Sequence, residues 1–286
     1  MLDGEPKIGV ALGGGSARGL AHIPLIEAMD ELGLRPAIIA GTSIGALIGA
    51  GWANNMSGKA LRDYAFEVLD SMQAITRRIW SAQTRDMRRL FTQGLSMQLD
   101  PETVVEAFTP KGFPKTFREL RTPLNIVSSD FWAWHQVVFD AGPLRRAIAA
   151  SIAVPSLFRP LQLDGRLLVD GGVTNPLPVD LASAGVDILV GIDVNGEPLN
   201  VPHVRIPSPL DLIWGSAQIM AHQLTAHMMA AYRPDIYIRP HVQTFPAHEF
   251  WRVREIVAAG DFQKERFKRK LGDAVDAFIA AQRKNV

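Results

Sequence analysis

The 286-residue chain contains no cysteine. That excludes a disulfide framework, a thiolate nucleophile and a zinc knuckle. Nor is there an excess of charge of either sign: 30 Lys and Arg stand against 29 Asp and Glu, a formal net charge of +1. Such a balance gives no general attraction to nucleic acid, and the aromatic residues are not interleaved with basic ones as on a base-stacking surface. Low-complexity tracts, Gly/Ser linkers and repeats with a period of about 20 to 50 residues are absent too. The opening "MLDGEPKIGV" lacks the basic-then-apolar plan of a signal peptide, so a cytoplasmic location is expected.

Long unbroken hydrophobic runs are also missing. The stretch from Pro36 to Gly58, "PAIIAGTSIGALIGAGWANNMSG", is uncharged and spaces Gly41, Gly45 and Gly49 by four, as a glycine-faced membrane helix does. Its continuously apolar part is too short to span a bilayer and is interrupted by Gly41-Thr42-Ser43. A strand, a tight turn and a buried helix packed through its glycines is the better reading.

What is present is 47% hydrophobic content, enough to bury a full core as one large domain. Residues 7 to 12 read as a buried strand, 17 to 32 as a helix ending at Gly33, and 36 to 40 as a second strand. Pro24 inside the first helical pattern predicts a kink or a later start. Helical spacing follows over 44 to 53, 59 to 72, 84 to 92 and 143 to 152. Strand character appears in "LNIVSSD", "HQVVF", "RLLVDGG", "VDILVGIDV" and "DIYI", and two long helices close the chain. Alternating helices and apolar strands predict an α/β fold whose sheet is covered on both faces and largely parallel at its centre. In the last helix Phe267, Leu271, Val275, Phe278 and Ile279 fall on one face, as for docking on the core.

Two glycine turns carry the chemistry. "LGGGSARGLAH", residues 12 to 22, places bare backbone between a strand and a helix, where N–H groups serve either a phosphate or an oxyanion. The nucleotide reading asks for an acidic residue at the end of the second strand, which instead ends in Gly41-Thr42-Ser43; no Lys-Ser/Thr follows the glycines either. "GTSIG", Gly41 to Gly45, fits G-x-S-x-G. In that turn a serine sits exposed at a helix N-terminus and the N–H of the next residue, here Ile44, points into the same space. A plain helix cap by Thr42 or Ser43 fits the five residues equally well. A serine nucleophile needs a proton acceptor, and both Asp170 in "VDGGVTNP" and Asp193 in "GIDVN" lie at strand ends. Either aspartate also fits a carboxylate that merely caps its own turn.

Taken in order, "GGGSARG", "GTSIG" and "DGG" resemble the patatin-like phospholipase family, and "ASIAVPSLFRPL" and "DGGVTNPLPV" are similar to the surroundings of that family's aspartate. The likeness spans about residues 7 to 195. It implies a three-layer α/β/α sandwich with a largely parallel central sheet and a serine–aspartate pair that works without histidine. By position, Ser43 matches the nucleophile and Asp170 the general base. Gly13, Gly14, Gly15 and Arg18, with Ile44, match the oxyanion site, while Gly19, Gly41, Gly45, Gly171 and Gly172 are motif glycines. Ser16 stands where many members have a further glycine, and Pro24 where the following helix often has one. The implied organisation is a catalytic domain over 5–200 with a C-terminal helical extension, 201–286, packed on it.

The expected activity is hydrolysis of phospholipids, lysophospholipids or related acyl esters, with no cofactor and no metal. Acyl transfer by the same pair, or a weakly catalytic lipid-binding module of the same fold, are the alternatives. A Ser-Asp-His triad would draw on His241 or His248, which follow both acids. His222 and His227 lie five apart and do not form an i, i+4 metal pair. Residues 77–91 carry Arg77, Arg78, Arg85, Arg88 and Arg89 against Asp86, with Ile79, Trp80, Met87, Leu90 and Phe91 between. That stretch fits peripheral membrane contact, or a solvated face over a core-facing stripe. The methionines of "SAQIMAHQLTAHMMAAY" fit either an adaptable surface near an acyl chain or ordinary packing.

Overall fold

A strand buried on both sides must be apolar along its whole length, and "IGVAL" meets that demand as β1 (Ile8–Leu12), every residue of which is buried. The computed structural model describes residues 5–83, 98–197, 206 and 208–284. After β1 the chain makes a 3-10 turn over Ser16–Ala21 and enters α1 (His22–Glu31). The α-helix thus begins later than the 17–32 periodicity, and Pro24 falls in its first turn, where a missing N–H breaks no helical bond. Then follow β2 (Ile38–Thr42), α2 (Ile44–Ala53), α3 (Gly58–Leu69) and α4 (Met72–Gln83). The helix expected over 84 to 92 lies outside the described residues.

The second half contains α5 (Pro101–Phe108), the hairpin β3 (Leu124–Asp130) and β4 (His135–Phe139), and α6 (Leu144–Ser151). Next come the hairpin β5 (Leu161–Leu163) and β6 (Arg166–Asp170), α7 (Val179–Ala182) and β7 (Ile188–Ile192). The last elements are α8 (Pro209–Tyr232), β8 (Ile236–Ile238) and α9 (Val253–Lys284). Within residues 201–286 the strand expected at "DIYI" is β8.

One sheet runs β5-β6-β3-β2-β1-β7-β8, with β4 also paired to β3. β3-β2-β1-β7-β8 are parallel neighbours, and the β4, β5 and β6 pairings are antiparallel. Its two faces are unequal. Val10, Leu12, Ile39 and Ile126 join the large core with residues of α1, α2, α3, α6 and α9. Ala11 and Ala40 point the other way, into a smaller cluster with Leu177, Val179 and Ala182 near α7, against which Met228 and Met229 of α8 pack. The result is the three-layer sandwich that the alternating elements imply.

On the thicker layer α1, α3 and α9 are tied by an ion-pair cluster. Arg62 on α3 meets Glu27 on α1 at 2.6 Å and Asp261 on α9 at 2.7 Å. Lys264 on α9 meets Glu27 at 3.2 Å.

The register of β3 decides what meets what. Ile126 and Val127 pair with both β2 and β4, and Ser128 to Asp130 pair with both β6 and β4. A strand has two edges, so β2 and β6 share the edge opposite β4, one after the other. Thr42 lies opposite Val127 and Asp170 opposite Ser128, which brings the C-terminal ends of β2 and β6 together.

Candidate active site

Ser43 sits at the turn between β2 and α2 with φ 55 and ψ −122. A left-handed φ is unusual for a serine and persists only where the surroundings impose it. Those surroundings are the two flanking glycines. A Cβ on Gly45 would lie 2.2 Å from the carbonyl oxygen of Leu12, and one on Gly41 would lie 2.7 Å from Cα of Ala46. Two further bonds hold the turn: the Ser43 N–H donates to Ser151 Oγ at 2.8 Å, and Thr42 Oγ1 donates to the Asn175 carbonyl at 2.8 Å.

The Ser43 hydroxyl donates to Asp170 Oδ2 at 2.6 Å, and the Gly172 N–H donates to Asp170 Oδ1 at 2.7 Å. Gly171 between them allows the turn to press on β3, since a Cβ there would lie 2.3 Å from the Val127 carbonyl oxygen. Asp170 is 7% exposed. Burial pushes its carboxyl up to about 6, against the opposing pull of the bonds from Ser43 and Gly172. The rival acid has other company. Asp193 accepts from Arg239 Nη2 at 2.8 Å, Tyr237 Oη at 2.7 Å and the Asn195 N–H at 2.9 Å.

The glycine loop departs from its expected role in part. The Gly13 N–H donates to the Ile192 carbonyl at 3.0 Å and the Gly14 N–H to the Pro176 carbonyl at 2.9 Å, so neither of these two faces an empty acceptor position. Among the described residues no hydrogen bond engages the N–H of Gly15, Ser16 or Ile44. Arg18 is likewise not directed at an oxyanion. Its Nε donates to the Phe245 carbonyl and its Nη1 to the Asn195 carbonyl, each at 2.8 Å, which ties the loop to two distant segments. The loop still passes over the serine: a Cβ on Gly14 would sit 3.4 Å from Cβ of Ser43. Gly19 leaves room for Ile44, whose Cγ2 would lie 2.1 Å from an added Cβ.

His22 supports the loop from inside. Burial drives its imidazole down to about 4, so near neutrality it is uncharged, and its Nε2–H donates to the Gly13 carbonyl at 2.9 Å.

From Ser43 an apolar cavity of about 290 Å³ runs beneath α3, α4 and α5. Ile44, Leu47 and Ile48 of α2, Ile75 and Ile79 of α4 and Phe158 form parts of its wall. Of the stretch 77–91, residues 77–83 lie on α4; residues 84–91 lie outside the described ones. Arg78 pairs with Glu67 at 3.2 Å, and Trp80 is exposed. Neither histidine of the possible triad stands between Ser43 and Asp170, whose contact is direct. His248 lines the cavity beside Trp251, and His241 is exposed. Sequence reasoning missed Ser151, Asn175 and His22, because a hydroxyl, an amide or an imidazole that braces a turn has no spacing rule to announce it.

A family model described as "Patatin-like phospholipase" matches residues 10–183. An NTE family protein of Mycobacterium tuberculosis is 35% identical over 195 residues, covering 67% of this chain and 50% of that protein. The human patatin-like phospholipase domain-containing protein 6 is 33% identical over 193 residues, 66% of this chain and 13% of that protein. A lysophospholipase, NTE1, of Pyricularia oryzae is 28% identical over 300 residues, 93% of this chain and 19% of that protein. The chain thus spans half the length of the mycobacterial relative and less of the others. Among solved structures, human GIVD cytosolic phospholipase A2 shares the fold with a TM-score of 0.52 at 12% identity, over 96% of this chain and 63% of that one.

Proposed function

We propose that this chain, which belongs to the patatin-like phospholipase family, is a serine acyl-ester hydrolase that places one acyl chain of a lipid ester in the cavity beside Ser43. The observation that carries the reading is the 2.6 Å hydrogen bond from Ser43 Oγ to a buried carboxylate, made at a strained turn that opens on an apolar cavity. Ser43 Oγ attacks the ester carbonyl and its proton passes to Asp170 Oδ2. The N–H groups of Gly15, Ser16 and Ile44 stabilise the oxyanion that forms. Asp170 then gives the proton to the leaving alcohol, and water, deprotonated by the same carboxylate, releases the acyl group from Ser43. The apolar lining of the cavity suits an acyl chain, and the lysophospholipase among the relatives favours monoacyl esters as the substrate class.

A base held at about 6 is ionised at neutral pH and still basic enough to take a proton in the transition state. Hydrolysis of a short-chain p-nitrophenyl ester should therefore fall on the acid side with a midpoint near pH 6. Ser43→Ala should abolish turnover, and Asp170→Asn should lower kcat by about 10²- to 10⁴-fold while the protein remains folded. Asp170→Asn with near-normal activity would place the base elsewhere, and a rate unchanged down to pH 4 would remove a raised carboxylate from the mechanism. Acyl transfer uses the same two residues, and product analysis with added glycerol separates it from hydrolysis.

A further inference from the structure

The turn joining β3 to β4 reads Phe131-Trp132-Ala133-Trp134. Its aromatic residues are 48%, 75% and 88% exposed at Phe131, Trp132 and Trp134. A turn needs no such side chains. Trp134 has φ 57, a left-handed conformation in which glycine or asparagine is the ordinary occupant and a bulky residue is an outlier. The backbone there is nevertheless well defined. Asp130 Oδ1 accepts from the N–H groups of Trp132 at 3.0 Å and Ala133 at 3.1 Å, and the Trp134 N–H donates to the Asp130 carbonyl at 3.0 Å. Phe131 and Trp132 meet edge to face, 4.9 Å between ring centres. The chain thus holds large aromatic rings in water on a firm turn, at a position that disfavours one of them.

The direction of the turn gives those rings a use. Thr42, next to Ser43, is level with Val127, and β3 runs on three residues further, about 10 Å, before the turn begins. The aromatic tip therefore lies beyond the end of β2 that leads to Ser43, while β6 runs beside its first residue, the Phe131 N–H donating to the Leu167 carbonyl at 2.8 Å. On another element, Gln218 of α8 bonds the Asn195 carbonyl just beyond β7, at the same end of the sheet. The turns of α8 that precede Gln218 carry the exposed Ile213 and Trp214.

We propose that the Phe131–Trp134 tip is an interfacial anchor, inserted among the headgroups of a lipid surface so that the Ser43 end of the sheet faces the membrane. Tryptophan favours that boundary because its ring is apolar and its N–H polar. The four turn residues carry no charge, and the whole chain has a formal net charge of only +1, so the surface engaged is a zwitterionic one and binding depends little on salt. The anchor stands on exposure and backbone geometry. It rests on the hydrolase reading only for the reason it lies at the Ser43 end of the sheet.

The test is co-sedimentation of the full chain with phosphatidylcholine vesicles, which needs no turnover and so fails or succeeds independently of the hydrolase reading. Trp132→Ser combined with Trp134→Gly should weaken partitioning about tenfold. It should leave hydrolysis of a soluble ester unchanged and leave the melting temperature equal or higher, since glycine relieves the left-handed position. If the double variant does not fold, Trp132→Ser alone should still lower partitioning measurably. Undiminished partitioning of the variants overturns the proposal, as does a wild type that stays in the supernatant. Binding that requires anionic lipid and survives the tip changes assigns the contact to the basic stretch 77–91 instead. A tip-dependent dimer in sedimentation velocity, without vesicle binding, makes a second copy of the chain the occupant.

Discussion

At the scale of single residues the site holds two titratable groups whose burial acts in opposite senses on stability. Asp170 is raised from 3.8 to about 6, so the folded protein binds that proton more tightly than the unfolded chain. Stability contributed there is highest below pH 3.8 and declines as pH rises through 6; at pH 8 the buried carboxylate costs about 3 kcal/mol. His22 is lowered from 6.5 to about 4, so its contribution is full above pH 6.5 and is lost as pH falls through 4. The two trends largely offset between those limits. Asp170→Asn removes one of them. The variant should be more stable than wild type by about 2 to 3 kcal/mol at pH 8, should lose that advantage near pH 4, and should show a steeper acid decline. Urea melts at pH 8 and pH 4 measure all three, and a variant less stable at pH 8 would mean that the carboxylate is held by more than its bonds to Ser43 and Gly172.

Legibility was uneven at this scale. Ser43 and Asp170 stood out because each ends an apolar run before a glycine turn, and the structure brings their side chains into contact. Gly13, Gly14 and Arg18 were equally conspicuous, yet their N–H groups and guanidinium bond to carbonyls of segments far along the chain. A glycine pattern reports that backbone comes close to something; it does not report which amide is left over.

Among the elements, α2 is the one whose placement the chemistry depends on, and its glycines show how little room it has. Gly45 allows the first turn of α2 to lie against the end of β1, and Gly49 continues that contact and reaches β2, with Leu12 Cδ1 3.3 Å and Ile39 Cγ2 3.2 Å from an added Cβ. Gly45→Ala would drive a methyl group into the Leu12 carbonyl, and the backbone there has no free end to swing aside. The expected loss is about 3 kcal/mol or more, with activity falling further than stability because the displaced turn carries Ser43. A thermal melt and an ester assay on the same preparation check it; an alanine tolerated without change would mean that α2 shifts freely. Helix α2 was legible end to end, 44 to 53, since its glycine spacing and neighbouring turn agree. The hairpin strands β3 and β4 were legible too, each around a β-branched pair, Ile126-Val127 and Val137-Val138. The first helix was legible only as a period, because a 3-10 turn and an α-helix share nearly the same apolar spacing and only Pro24 marked where one gives way to the other.

For the whole molecule, the three-layer order follows from the alternation of strands and helices, but the meeting of β2 with β6 does not. Each strand reads from its own residues, whereas their sharing of one edge of β3 is a property of the register. The consequence concerns time as well as space. The two side chains are 127 residues apart in sequence, and the bond between them requires β2 and β6 both to have paired along one edge of β3. Contacts of such separation form late, because the chain between them must first be ordered. During synthesis Ser43 emerges well before Asp170, and a nascent or half-folded chain carries a serine with no acceptor for its proton. On the proposed mechanism, reactivity is withheld until the sheet has closed. In refolding experiments, labelling by a fluorophosphonate probe should appear with the slowest phase that restores native fluorescence, and not with the early gain of helix; if Ser43 and Asp170 act as proposed, a chain that lays down its helices first is chemically inert until its last strands align.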